Sequence, residues 1–234
     1  MAKDVIIALD FPTEVQALAF LEKFGPLRPY VKVGMELYFA SPRVVNILRN
    51  RGHRIFLDLK LHDTPNTVGR AMAQISRMGV DMVNLHAAGG REMMEAALEG
   101  LTRPDGSRPL LVAVTQLTST GPEMLERELL ISRPMEETVL HYAKNAAEAG
   151  LDGVVCSALE ARRIKEACGE RFITVTPGIR FDGAAGDDQK RVAAPGAARK
   201  MGSDYIVVGR PITGSNDPLA AYELCLQEFL GGES

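Results

Sequence analysis

One pattern constrains this chain more than any other: short, β-branched apolar runs recur eight times at near-regular intervals, separated by longer segments of helical periodicity. The runs are Asp4–Asp10, Tyr30–Met35, Arg54–Leu61, Met82–Ala87, Leu110–Leu117, Gly153–Ser157, Ile173–Ile179 and Tyr205–Arg210. Between them, apolar residues fall at helical spacing, as in Val15, Leu18, Ala19 and Leu21, or Val44, Val45, Ile47 and Leu48, or Ala71, Ile75 and Met78. Thr13 with Gln16 reads as a capping box, and Ser41-Pro42 as an N-cap followed by proline at the first helical position. Strict alternation of strand and helix requires parallel pairing, because each helix is the crossover that returns the chain to the same edge. Near-continuous apolar strands fit a sheet covered on both faces. Eight units in 234 residues average roughly 29 residues each. The expected architecture is therefore α/β, one (β/α)8 TIM barrel spanning residues 1–234 as a single catalytic domain. A doubly wound open sheet would normally carry a Gly-rich turn after its first strand, and Asp10-Phe11-Pro12-Thr13 is not one.

Two connections exceed the regular spacing. Thr118 to Pro134 is long enough for an extra short helix, and Arg180 to Pro195 carries Gly183, Ala184, Ala185 and Gly186 in a row. Both follow strand C-termini, where catalytic loops of a barrel sit, so each is either a lid or a tolerated surface insertion.

Composition limits what such a barrel binds. The 27 basic residues stand against 30 acidic ones, a formal net charge of −3, with 46% hydrophobic residues. A disordered chain would be less apolar and more highly charged, and a nucleic-acid binder would show a basic excess, so no nucleic-acid polymer is expected as partner. An anionic ligand must be held by a local site. Cys156, Cys168 and Cys225 offer no disulfide framework or zinc spacing, which points to a reducing, cytoplasmic setting. No signal peptide is apparent, and no run approaches ~18 apolar residues, so no membrane association is expected.

Charges interrupt the apolar strands at one end. In Asp58-Leu59-Lys60-Leu61-His62-Asp63, alternation puts Asp58 and Lys60 on one face and Leu57, Leu59 and Leu61 on the other. Lys32 lies between Val31 and Val33, and Asp10 closes the first run. Charges at inward positions lose hydration unless paired or used, so four charges from three strands converge on one rim. A structural ion-pair network is the competing account, although apolar side chains would serve stability equally well. Asp63-Thr64-Pro65 reads equally as a helix N-cap region or as a catalytic position. Toward the end of the sequence, Pro177-Gly178-Ile179-Arg180 and Val208-Gly209-Arg210-Pro211 end the seventh and eighth runs, the usual phosphate position of this architecture. Glycine lets an oxyanion approach the backbone, and arginine can bind two of its oxygens. His86 could join Asp58 on a metal, but no further ligand has suitable spacing, so a supporting or packing role is favoured and no metal site is expected. His53, His62 and His141 form no constellation, and Cys156 reads as core.

These residues also resemble a known family. Asp58-x-Lys60-x-x-Asp63-x-Pro65-Asn66-Thr67 is similar to the signature of orotidine 5′-phosphate decarboxylase in its bacterial form. The likeness extends through Asp10, Lys32, Val83-Asn84-Leu85-His86-Ala87, Gln116-Leu117-Thr118-Ser119, Asp188-Gln189-Lys190-Arg191 and the Arg180 and Arg210 segments; Thr64 departs from the common isoleucine. The resemblance implies loss of CO2 from C6 of orotidine 5′-monophosphate to give UMP, the last step of de novo uridylate synthesis, without metal or organic cofactor. It implies a homodimer in which Asp63 serves the neighbouring site. It makes Lys32, Asp58, Lys60 and Asp63 catalytic, with Lys60 protonating C6. It places Asp10 and Thr67 near the ribose, counts Thr64 among the substrate-binding residues, and puts Thr118 and Ser119 near the pyrimidine and Gln189, Gly209, Arg210 and Arg180 on the phosphate. The alternatives are a metal-dependent keto-sugar-phosphate decarboxylase or hexulose-phosphate aldolase of the same superfamily, and a non-catalytic phosphate-sensing barrel.

Overall fold

The computed structural model describes residues 3–181 and 191–231. Its eight strands are β1 (Asp4–Ala8), β2 (Tyr30–Gly34), β3 (Ile55–Leu61), β4 (Met82–His86), β5 (Leu110–Val114), β6 (Gly153–Val155), β7 (Ile173–Thr176) and β8 (Tyr205–Val208). All pair in parallel, in sequence order, and β8 pairs with β1 to close the barrel. Among the described residues the helices are α1 (Glu14–Glu22), α2 (Met35–Ala40), α3 (Val44–Asn50), α4 (Pro65–Ile75), α5 (Arg91–Leu101), α6 (Pro122–Arg127), α7 (Met135–Glu148), α8 (Ala158–Cys168), α9 (Pro195–Lys200), α10 (Arg210–Thr213) and α11 (Pro218–Leu226). No described helix is long and apolar enough to cross a membrane.

The strand period of two sorts side chains between two cores. Val5, Ile7, Val31, Val33, Leu57, Val83 and Leu111 face outward into the layer shared with the helices. Ile6, Tyr30, Phe56, Met82, Val112, Ile173, Val175, Tyr205 and Val207 fill the barrel interior. Tyr30 and Tyr205 meet edge-on at 6.2 Å, and the Arg54 guanidinium lies 4.5 Å over the Tyr30 ring while pairing with Asp4. The N-terminal end of the barrel is thus plugged by large rings.

That end is also clamped by a repeated device. The carboxylates of Asp81, Asp152 and Asp204, each just before a strand, accept the backbone N–H of Ile55 at 2.8 Å, Leu111 at 2.7 Å and Thr174 at 2.9 Å. Each bond satisfies a donor at the first or second residue of the preceding strand. At the C-terminal end the interior positions become small or polar, with Ala8 on β1 and Lys32, Asp58 and Asn84 on the next three strands. A filled base under an open mouth is what leaves room for a site.

Some local expectations need correction. Several strands stop short of the apolar runs, β5 at Val114 beside the three-residue β6, because a ladder ends where its neighbour does. Thr13 caps α1 through its hydroxyl, which accepts from Gln16 N, but the Gln16 amide meets that hydroxyl rather than completing a capping box. Ser41 is not the N-cap of the next helix: α3 begins at Val44 with Arg43 as its N-cap, while Ser41 is the C-cap of α2 and its hydroxyl donates to Glu14. The Thr118–Pro134 connection does contain an extra short helix, α6. Most of the Arg180–Pro195 connection, including its Gly-rich stretch, lies outside the described residues.

Candidate active site

The open end of the barrel holds a cavity of about 440 Å³, within the ordinary range for a small-molecule site. Nine of the expected residues line it: Asp10, Lys32, Asp58, Lys60, Thr118, Ser119, Arg180, Gly209 and Arg210. Phe56 and Val207 form part of its apolar wall together with Cys156, whose thiol is pushed well above its ordinary value by burial.

The charges run as a chain across three adjacent strands. Lys32 Nζ lies 2.9 Å from Asp10 Oδ1 and 3.2 Å from Asp58 Oδ2, and Lys60 Nζ lies 2.7 Å from Asp58 Oδ1. The order is Asp10, Lys32, Asp58, Lys60, alternating in sign. Asp58 and Lys32 are almost wholly buried, whereas the Asp10 side chain is 57% exposed. Burial opposes both buried charges, but their partners win. Lys32 is held above its ordinary value by Asp58 and Asp10, and Asp58 below its own by Lys32 and Lys60 with hydrogen bonds from Lys60 and Asn84. Gly34 makes room for this chain, since a Cβ there would stand 3.0 Å from Lys32 Nζ and 3.3 Å from Asp10 Oδ1.

Lys60 reaches the cavity by a route that alternation does not describe. Leu57 pairs with Val83 and Leu61 with Leu85, so Asp58, Leu59 and Lys60 together oppose the single Asn84. Two extra residues keep the faces of β3 and β4 in phase, and Leu59 and Leu61 still pack outward. Lys60 itself takes φ +51°, a left-handed conformation costing roughly 1–2 kcal/mol for a residue with a Cβ. Asn84, which charge-based reasoning did not single out, sits against this turn.

Across the barrel from β3, the β7 and β8 ends carry Gly178, Arg180, Gly209 and Arg210. Gly178 has φ +78°, and Gly209 precedes α10, in which Pro211 takes an early position. A Cβ on Gly209 would lie 3.6 Å from Ala8 Cβ, so this segment borders the β1 end of the charge chain. Arg191 braces the other wall: its guanidinium pairs with buried Glu160 and donates to the carbonyls of Leu117 at 2.9 Å and Gln116 at 3.3 Å. Thr118 and Ser119 follow immediately.

Asp63, Thr64 and Thr67 are not brought to this cavity. All three are exposed at the start of α4, where Asp63 Oδ1 accepts from Thr64 N at 2.6 Å and the Thr64 hydroxyl donates to Thr67 Oγ1 at 3.1 Å. Thr64 occupies the N-cap without a capping bond from its side chain. Within one chain the fourth charge of the cluster is Asp10, not Asp63. Gln189 lies outside the described residues. His86 packs beside His62, rings 5.7 Å apart, and its basicity is lowered by burial and by His62 and Lys60. Among the described residues, no three His, Cys, Asp or Glu side chains converge as a metal-binding group.

Residues 3–225 match the family model for the orotidine 5′-phosphate decarboxylase / HUMPS family. The chain belongs to that family. It is 58% identical over 232 residues to the orotidine 5′-phosphate decarboxylase of Bacillus caldolyticus, covering 97% of this chain and 95% of that one. It is 55% identical to the enzyme of the same name from Geobacillus thermodenitrificans, with 98% of each chain covered. Among solved structures, the crystal structure of orotidine 5′-phosphate decarboxylase from Lactobacillus acidophilus superposes with a TM-score of 0.87 at 43% identity, covering 97% of this chain and 99% of that one.

Proposed function

We propose that this protein decarboxylates orotidine 5′-monophosphate to UMP and CO2, without metal or organic cofactor, as a cytoplasmic enzyme of pyrimidine nucleotide synthesis. The observation that carries the reading is the cavity's division: a charge chain of zero net charge at β1–β3, and two arginines at β7–β8. A phosphate suits the arginines, and a carboxylate leaving an uncharged base suits a neutral, rigid array.

The chemical difficulty is an in-plane carbanion at C6, which no π system of the ring accepts. Lys60 would place its ammonium where that charge develops and then protonate the carbon. Asp58 would lie beside the departing carboxylate and hold Lys60 in its charged form, while Lys32 keeps Asp58 itself ionised. Thr118 and Ser119 would meet the pyrimidine and Asp10 the ribose; Arg180, Gly209, Arg210 and Gln189 would bind the phosphate. Binding energy gathered at the phosphate, away from C6, is then spent on orienting the base.

The same reading makes the active unit a homodimer. Asp63, Thr64 and Thr67 are exposed and absent from their own chain's cavity, as residues that complete a neighbour's site would be. A Mg²⁺-dependent sugar-phosphate reaction finds less support: Asp58, the carboxylate best placed to bind a metal, already engages Lys32, Lys60 and Asn84. The test is turnover of orotidine 5′-monophosphate in chelator-treated buffer, followed by loss of the orotate ultraviolet band. Steady loss is expected; inactivity, or activity restored only by Mg²⁺, would sink the proposal.

A further inference from the structure

The residue facing the β3 bulge is uncharged, yet it contacts both halves of the central ion pair. Asn84 is 1% exposed. Its Nδ2 donates to Asp58 Oδ1 at 2.6 Å, and its Oδ1 accepts from the backbone N of Lys60 at 2.8 Å. These partners fix the orientation of the amide, because a carboxylate only accepts and a backbone N–H only donates.

Each bond answers a need created by the bulge. With three residues of β3 opposite one of β4, the ladder has no regular carbonyl to offer Lys60 N–H, and an unpaired buried donor is costly. The side-chain carbonyl of Asn84 replaces it and holds the left-handed turn at Lys60. The amide NH2 also shares Asp58 Oδ1 with Lys60 Nζ, while Lys32 occupies Oδ2. The carboxylate plane is thereby fixed from three directions.

We propose that Asn84 is a positioning residue for the decarboxylation, acting through the Lys60 backbone and the Asp58 carboxylate to hold the ammonium at the reacting carbon. The proposal rests on the reading of Lys60 given above. Asn84 does not line the cavity and need not touch substrate. Other residues of this size each fail in a definable way. Leucine fills the volume but offers neither bond. Aspartate keeps an acceptor for Lys60 N–H but sets a second carboxylate against Asp58. Serine is too short to span both partners.

The experiment compares wild type with Asn84→Leu, Asn84→Asp and Asn84→Ser, measuring kcat and KM for orotidine 5′-monophosphate, UMP affinity and stoichiometry by calorimetry, and thermal unfolding. Displacing a reacting group by an ångström costs about 100-fold, so kcat is expected to fall about that much in the leucine and aspartate variants and less in serine. UMP binding should change by no more than about threefold at full stoichiometry, because the phosphate arginines lie across the barrel. A folded, UMP-binding variant with wild-type kcat would overturn the proposal. So would failure of all three variants to fold, which would make Asn84 a folding determinant. Inactive wild type would instead mark the failure of the reading of Lys60 on which the proposal depends.

Discussion

Replacing Lys32 by methionine removes the cation that ties the charge chain together while keeping most of the apolar volume. Lys32 Nζ sits 3.2 Å from Asp58 and 2.9 Å from Asp10, with its side chain 11% exposed. At an effective dielectric of about 20, the contact with Asp58 alone corresponds to roughly 5 kcal/mol of attraction. Methionine relieves the desolvation of the ammonium, and Asp58 keeps Lys60 and Asn84, so the net loss belongs at the low end of a broken buried pair, about 3 kcal/mol. For a chain this long that is a fall in Tm of about 6–12 °C. Thermal unfolding at fixed protein concentration and pH 7 measures it. Asp10→Asn is the control: Asp10 is 57% exposed, and its loss should cost under about 1 kcal/mol. The pH dependence has a definite sign. Lys32 is raised above 10.5, so its contribution is complete below that value and lost as pH rises through the higher folded-state value. Asp58 is depressed below 3.8, so its contribution is present above that value and lost as pH falls through the lower folded-state one. The gap between wild type and variant should therefore stay level from about pH 4 to about pH 10. A Tm within about 2 °C of wild type at pH 7, or a gap that changes between about pH 5 and 9, would refute the reasoning.

Gly34→Ala should make the Lys32 ammonium and Asp10 give way slightly, costing about 1 kcal/mol of stability, the low end for an overpacked site, and lowering kcat/KM; unchanged unfolding and kinetics would show that the neighbours yield freely. Arg210→Ala should raise KM for orotidine 5′-monophosphate by about 10- to 100-fold, yet leave turnover of orotidine, which lacks the phosphate, unaltered. Lys60→Ala and Asp63→Ala chains, each nearly inactive, should recover about a quarter of wild-type activity on equal mixing, since half the dimers are mixed and each mixed dimer holds one intact site. No recovery after demonstrated subunit exchange would count against Asp63 acting across an interface.

The strands were legible because a parallel sheet covered on both faces needs uninterrupted apolar runs, and each of the eight runs contains an observed strand. Lys32 and Asp58 were legible for the complementary reason: a charge inside such a run has few explanations. What stayed hidden was uncharged or conformational. Helix α2 buries only Leu37, too little for a periodic signal. Gly34 matters through the side chain it lacks. Asn84 did leave a trace, a polar residue at the inward phase of β4 between Val83 and Leu85, but an amide there reads as readily as a satisfied core residue. No local pattern announces the left-handed turn at Lys60.

That turn explains how one strand delivers both members of the central ion pair. In a regular strand, residues two apart on one face are about 6.6 Å apart along the chain, and parallel side chains would hold their charges at a similar spacing. Turning Lys60 to φ +51° lets its ammonium come to 2.7 Å from Asp58. The insertion must add two residues, because one would flip Leu61 from the helix layer into the cavity. A bulge of this kind is strained and leaves a donor without a ladder partner, so it persists only where a neighbouring strand supplies an acceptor. Asn84 supplies it and also grips Asp58, so the group that stabilises the distorted backbone is the one that aligns the charges. Substitutions at Asn84 should therefore damage geometry before they damage the fold, whereas Lys32, buried between two carboxylates, should do the reverse.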